Sequence, residues 1–388
     1  MGLWRRLEEM SFQRKLLVLL LVGAVLYGGL ITVDNVFGVS NSVGTPVDVK
    51  YYRERGSAIL NGSVPYRDFS SESPPLIMYL FAIPQAFGGS SAAYQIFFSS
   101  FAILTGICFY LLLRRFDDWK AFRAGLLYML MPYALIEFTF GIQDEAVTTF
   151  FFFLPLLFFI NHSYVKTAVS AALGFWVKIF NVLLMPIMFF HTPKWSDRRK
   201  EVLIVVVISL LVAVPFLLLA GVKFLEFPIY YFLGTPGAET GGRGSISPWH
   251  FLDMGGFKLP GLIGLALTIG SLIFAWYWTY KKQMPFWASC ALTIFLFILF
   301  YPKINFVYFI LPMAIFMIYG LDDRAILIRC FVLAIPAFAS GAFTEYDPNP
   351  LINIPGGWLI GLALSLVTYI ILIDIFLRTR GKKAFFEV

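Results

Sequence analysis

Apolar residues in this chain gather in long runs separated by short polar breaks. A helix that crosses a bilayer needs about 20 such residues. Runs of roughly that order fall at Leu16–Val33, Ala92–Leu113, 124–140, 144–160, 167–190, 202–220, 260–280, 286–300, 304–319, 325–342 and 352–378. A shorter piece, Leu76–Phe87, is too brief for a comfortable crossing and reads as interfacial or re-entrant. The pattern predicts an all-α integral membrane protein formed as one polytopic domain over residues 1–388.

Composition agrees. Hydrophobic residues make up 59% of the chain and the mean hydropathy is +0.78, above what a soluble domain carries. Aromatics reach 18%, with 43 Phe, which suits lipid-facing helices and interfacial belts. The net charge of +7 is concentrated at segment ends, so it reads as a topology signal and not as a nucleic-acid patch. Cys108, Cys290 and Cys330 all lie inside apolar runs and are expected as buried small hydrophobes.

Basic loops orient the runs. The N-terminus, Arg114–Arg123, Lys194–Glu201, Lys281–Lys282, Asp322–Arg324 and the tail Arg378–Lys383 are expected on the cytoplasmic side. Residues 114 and 194 then require an even number of crossings between them. The run 167–190 must then supply two short helices or none; Lys178 and Asn181 at its middle favour two, with the break around Phe180. The count becomes about 12 spans, with both termini cytoplasmic. The extracytoplasmic side receives 34–75 and 221–256 as the main loops, with 141–143, 301–304 and 344–351.

The first outer loop is patterned. Thr45 and Pro46 before Asp48 read as a helix start, and Asn61–Gly62 as its end. The helix between is too short and charged to span and should lie at the membrane surface. Ser73, Pro74 and Pro75 open the next apolar piece. Asp48, Asp68 and Glu72 collect near the interface; Asp34, at the end of the first span, is expected only to mark it.

The stretch Asp48-Val-Lys-Tyr-Tyr52, then Asn61-Gly62, Pro65-Tyr66, Asp68-Phe69, Glu72 and Pro74-Pro75-Leu76, resembles the first loop of polyprenol-phosphate-dependent glycosyltransferases of the GT-C superfold. It is most similar to glycosyltransferase family 87 and the GPI mannosyltransferase I type. Later segments resemble the same pattern: Gly141-Ile-Gln143-Asp144-Glu145, Trp176-Val-Lys178 through Pro186, Gly242-Arg243 through Trp249, and Tyr301-Pro-Lys303-Ile-Asn305 through Pro312. Ser73 stands where those families carry an aromatic residue, and Val307–Tyr308 where they carry Gln-Tyr.

The resemblance implies interfacial helices in the first outer loop and an extracytoplasmic active site. It implies transfer of a sugar, mannose first among the candidates, from a polyprenyl- or dolichyl-phosphate donor to an acceptor hydroxyl, with inversion. Asp48 would be the general base. Lys178, Arg243 and Lys303 would meet the donor phosphate. Tyr52, Glu72, Gln143, Asp144, Glu145 and His250 would contact sugar or acceptor. Each has a plainer reading: Asp48 as a capping residue, Asp144 and Glu145 as acids favoured at a helix start, Lys303 as a snorkelling cation, and His250 as a loop histidine. Lys178 inside an apolar run is the least easily dismissed. The acceptor is a glycolipid, a glycan or a protein, and the bilayer is the third partner. No cofactor is firmly implied; Asp48, Asp68 and Glu72 could ligate a divalent cation, but metal-independent transfer is expected. Two other readings stay open: a flippase or transporter of lipid-linked sugars, and a noncatalytic scaffold.

Overall fold

The computed structural model describes residues 3–42, 47–233, 244–258, 260–344, 351 and 354–382. Every element of regular structure among them is a helix, apart from isolated bridges. Six helices are long and apolar enough to cross a membrane: Phe12–Phe37, Ser91–Leu113, Trp195–Ile229, Gly261–Lys282, Arg324–Gly341 and Gly357–Thr379. A seventh candidate is a pair, Asp118–Met129 and Pro132–Thr139, bent by 43°. The bend follows from Pro132, which cannot donate a backbone hydrogen bond to the preceding turn. Shorter apolar helices include Glu145–Ile160, Ile179–His191, Phe286–Phe300 and Phe306–Gly320. The chain is an all-α, multi-pass membrane protein.

The run 167–190 breaks where its polar residues predict. Tyr164–Val177 ends, Lys178 is extended at φ −157° and ψ 138°, and a 3-10 turn Ile179–Leu183 leads into Met185–His191. A lysine in mid-run favours such a break, since the extended residue carries the ammonium out of the apolar layer.

Charges tie the loops together at one end. Lys15 pairs with Asp118 at 2.5 Å, Lys120 with Asp322 at 2.6 Å, and Lys382 with Asp323. Arg115 donates to the carbonyl of Ile160, and His191 Nε2 lies 2.8 Å from the Met284 carbonyl oxygen. The loops grouped by their basic residues therefore do share an end.

The opposite end is built by the first loop. The helix Val47–Leu60 packs along Pro75–Ala86. A Cβ on Gly56 would stand 2.7 Å from the Phe81 carbonyl oxygen, so only glycine permits this approach. Asn61 and Gly62, the latter at φ +81°, end the helix, and Pro75 opens the next one as expected. Thr45 and Pro46 lie outside the described residues. Asp34 does more than mark an interface. It is buried and accepts from the Ser40 backbone N–H at 2.6 Å, the Ser40 hydroxyl at 2.9 Å and Gln95 Nε2 at 2.5 Å. The three cysteines are buried thiols.

Candidate functional site

At the end opposite the basic loops lies an open cavity of about 650 Å³. The first-loop helix presents one face to it. Asp48, Tyr52 and Arg55 stand at positions i, i+4 and i+7, which α-helical geometry places in a row. Glu72 enters from the loop before Pro74. Gln143, Asp144 and Glu145 come from the turn that starts Glu145–Ile160, Lys178 from the helix break, and Lys303 from the segment after Phe286–Phe300.

Two devices hold these groups. The first is a buried ion triad. Lys178 Nζ lies 2.8 Å from Asp144 Oδ1 and 2.5 Å from Glu145 Oε1, with the three side chains 11%, 10% and 5% exposed. Acidic groups so far from water are tolerated there because each faces the same ammonium at hydrogen-bonding distance. Glu145 Oε2 is buried and has no hydrogen-bond partner among the described residues. The turn before Asp144 is strained: Ile142, a β-branched residue, sits at φ +49°. It wraps over Glu137 so closely that a Cβ at Gly141 would fall 2.6 Å from Glu137 Oε2 and 3.0 Å from the Glu137 backbone.

The second device holds Lys303. Ile246 N–H donates to the Ile304 carbonyl at 2.7 Å, and the Ser245 hydroxyl to the Pro302 carbonyl at 3.0 Å. The chain from Ser245 to Ser247 thus runs against 302–305 like a fragment of sheet, and Ser365 anchors Ile246 from the last long helix. Lys303 is 29% exposed and lies 3.6 Å from Glu72, looser than the Lys178 triad.

Tyr52 bridges the two halves. Its ring stacks on Phe81 with centroids 4.4 Å apart, and its hydroxyl accepts from the Asp144 backbone N–H at 3.4 Å. Burial pushes the phenol well above its ordinary range, and the Asp144, Asp48 and Glu145 charges push the same way. Tyr52 therefore remains a neutral hydroxyl that can still donate its own proton.

Eight of the ten residues singled out in the sequence line this one cavity: Asp48, Tyr52, Glu72, Gln143, Asp144, Glu145, Lys178 and Lys303. Arg243 lies outside the described residues. His250 is placed elsewhere. It is fully buried in the short helix Pro248–Met254, away from the cavity lining, with neither ring nitrogen hydrogen-bonded among the described residues. Burial lowers its imidazole to about 4, with the Asp253 charge acting in the opposite direction. Sequence reasoning missed Arg55 and Glu54, which also line the cavity. The signal for Arg55 was available, since it continues the row of Asp48 and Tyr52.

Asp68, grouped with Asp48 and Glu72 as a potential cation ligand, points to other partners. Arg67 holds it through two contacts of 2.8 Å, and Arg67 and the Val64 N–H keep its carboxyl down at about 2. Among the described residues no group of three or more His, Cys, Asp or Glu side chains is arranged to hold a metal ion. Chemically, the cavity can offer a carboxylate on the helix Val47–Leu60, cations from two distant segments, and an open mouth. No protein-family model and no curated protein matches this chain.

Proposed function

We propose that this chain is an integral-membrane glycosyltransferase that moves a sugar, mannose first among the candidates, from a polyprenyl- or dolichyl-phosphate donor to an acceptor hydroxyl. The observation that carries the reading is the convergence of Asp48, Lys178 and Lys303 on one open cavity, from parts of the chain far apart in sequence. In this reading Asp48 takes the acceptor proton while the hydroxyl oxygen displaces the lipid phosphate from the anomeric carbon. A single displacement inverts that carbon. The leaving phosphate gains negative charge and needs a fixed cation. Lys303 suits this better than Lys178, because Lys178 is already compensated by two carboxylates at hydrogen-bonding distance. Lys178 then holds Asp144 and Glu145 in place as acceptors for sugar hydroxyls, with Gln143, Tyr52 and Glu72 around them. Arg243 is retained as a further phosphate contact. His250, which is not among the residues that line the cavity, acts at most through the packing of its helix.

The proposed fold is of the GT-C type. The six long helices, the bent pair, Tyr164–Val177 and the shorter apolar helices after residue 144 bring the crossings to about 12. Pro75–Ala86 is the re-entrant piece. The cavity faces the extracytoplasmic side, and both termini and the basic loops face the cytoplasm.

The test is a transfer assay with purified protein, a panel of polyprenyl-phosphate sugars and short glycolipid acceptors. Product with inverted configuration is expected from the wild type. Asp48→Ala should insert and remain folded, with transfer reduced about 10²-fold or more. Full activity in Asp48→Ala would remove the assigned base. Movement of labelled lipid-linked sugar across proteoliposomes, without product from any donor, would replace this reading by a flippase.

A further inference from the structure

Beside the cavity lies a second polar hollow of about 310 Å³. It is bounded by Arg67 and Asp68 on one side and by Lys223 and Glu226 on the other. Both hollows share Phe69, Ser70 and Ser71, so this short strip of loop is a common wall. The strip is held stiffly. Tyr66 N–H donates to the Phe69 carbonyl at 2.8 Å, and Val64 N–H donates to the Asp68 carboxylate at 2.7 Å. Tyr66 sits at φ +66°, a conformation that costs a non-glycine residue about 1–2 kcal/mol. Its ring is buried among Phe216, Phe224 and Phe227, with centroids 5.2–5.8 Å away, and its hydroxyl donates to the Ser73 carbonyl at 2.7 Å.

The chemistry of the hollow selects its occupant. Two cations face two carboxylates, so neither an anion nor a cation is favoured. Hydroxyls, carboxylates, an ammonium and a guanidinium supply both donors and acceptors, and the partly exposed Phe69 supplies an apolar ring. A neutral polyhydroxylated unit with an apolar C–H face matches this set. Its size falls at the lower end of ligand pockets, enough for one small unit. We infer that this hollow binds the second sugar of the acceptor, so that the acceptor is an oligosaccharide chain lying across Phe69–Ser71 with its terminal sugar in the main cavity. The inference rests on the glycosyltransferase reading for the direction of the chain, but binding can be measured without transfer.

Saturation-transfer NMR on the purified full-length protein, with methyl α-mannoside and its α-linked disaccharide as probes, tests it. Both rings of the disaccharide should receive saturation from the wild type. Phe69→Ala and Lys223→Ala should each weaken the signal of the second ring relative to the first. In transfer, the preference for a two-sugar over a one-sugar acceptor should fall about three- to tenfold in Phe69→Ala. Phe69→Tyr should restore it, which separates loss of the ring from loss of folding. Saturation confined to one ring in the wild type, or an unchanged preference in both alanine variants, overturns the inference. If no donor gives product yet both rings are saturated, the transferase reading fails while the disaccharide site stands.

Discussion

Lys178 shows how one side chain fixes both a break in the fold and the character of a site. Its ammonium is paired twice, and its partners are at least as buried as it is. Removing the cation alone leaves two carboxylates without compensation. Lys178→Met is expected to lower stability by about 3–5 kcal/mol, read as a fall in the thermal midpoint in detergent. Adding Asp144→Asn and Glu145→Gln to Lys178→Met should recover much of that loss, because no uncompensated charge then remains. A triple variant no better than the single one would mean that the triad contributes through packing. His250 makes a second case. Burial holds it near 4, below its ordinary 6.5, so between those values the unfolded chain binds more protons than the folded one. Its contribution is therefore complete above about pH 6.5 and is lost as the pH falls towards about 4. A series of thermal melts should show this decline, and His250→Gln should flatten it; an identical slope in the variant would assign the decline to other groups.

Among the helices, the contact of Val47–Leu60 with Pro75–Ala86 positions the face that carries Asp48, Tyr52 and Arg55. Gly56 sets that contact, because the nearest atom to an added Cβ is a backbone oxygen that cannot rotate aside. Gly56→Ala should cost about 1–3 kcal/mol through overpacking and push the row of side chains out of register with Asp144. Thermal melts and transfer rates measured on the same preparation check it; an unshifted midpoint would show that the pair separates freely. These helix ends were legible in the chain. Asn61–Gly62 and Pro74–Pro75 act through local backbone geometry, so their effect does not depend on distant residues. Arg55 was equally legible by helical spacing, yet its relevance depends on which face meets the cavity. Glu137 was not legible, since only the tight turn through Ile142 and Gly141 brings its buried carboxylate against Gly141.

For the molecule as a whole, the two ends differ in kind. One is laced by Lys15–Asp118, Lys120–Asp322 and Lys382–Asp323; the other opens into the polar cavity. Single cysteines placed at exposed Glu54 or Asn61 should react with an impermeant maleimide from the extracytoplasmic side. Cysteines at Arg123 or Arg199 should react only after the membrane is permeabilised. Labelling of the Arg123 and Arg199 positions from outside, with the Glu54 and Asn61 positions reacting only after permeabilisation, would overturn the proposed orientation though not the division into two ends; labelling of both sets from one side would overturn that division.

The hydropathy of the runs settled the class of fold without reference to any contact, because transfer of about 20 apolar residues into lipid is a property of the segment alone. The grouping of loops at a common end was likewise implicit in their basic residues, and a broken helix at Lys178 in the cost of placing an ammonium inside an apolar layer. Tertiary structure decided the rest. Lys178 and Lys303 carry the same charge, but only packing made one the centre of a closed triad and left the other loosely held beside Glu72. His250 has the same loop-like sequence setting as a surface histidine, and only its enclosure removed it from the cavity and lowered its basicity. Burial and pairing belong to the arrangement of segments remote in sequence, so no local pattern could carry them.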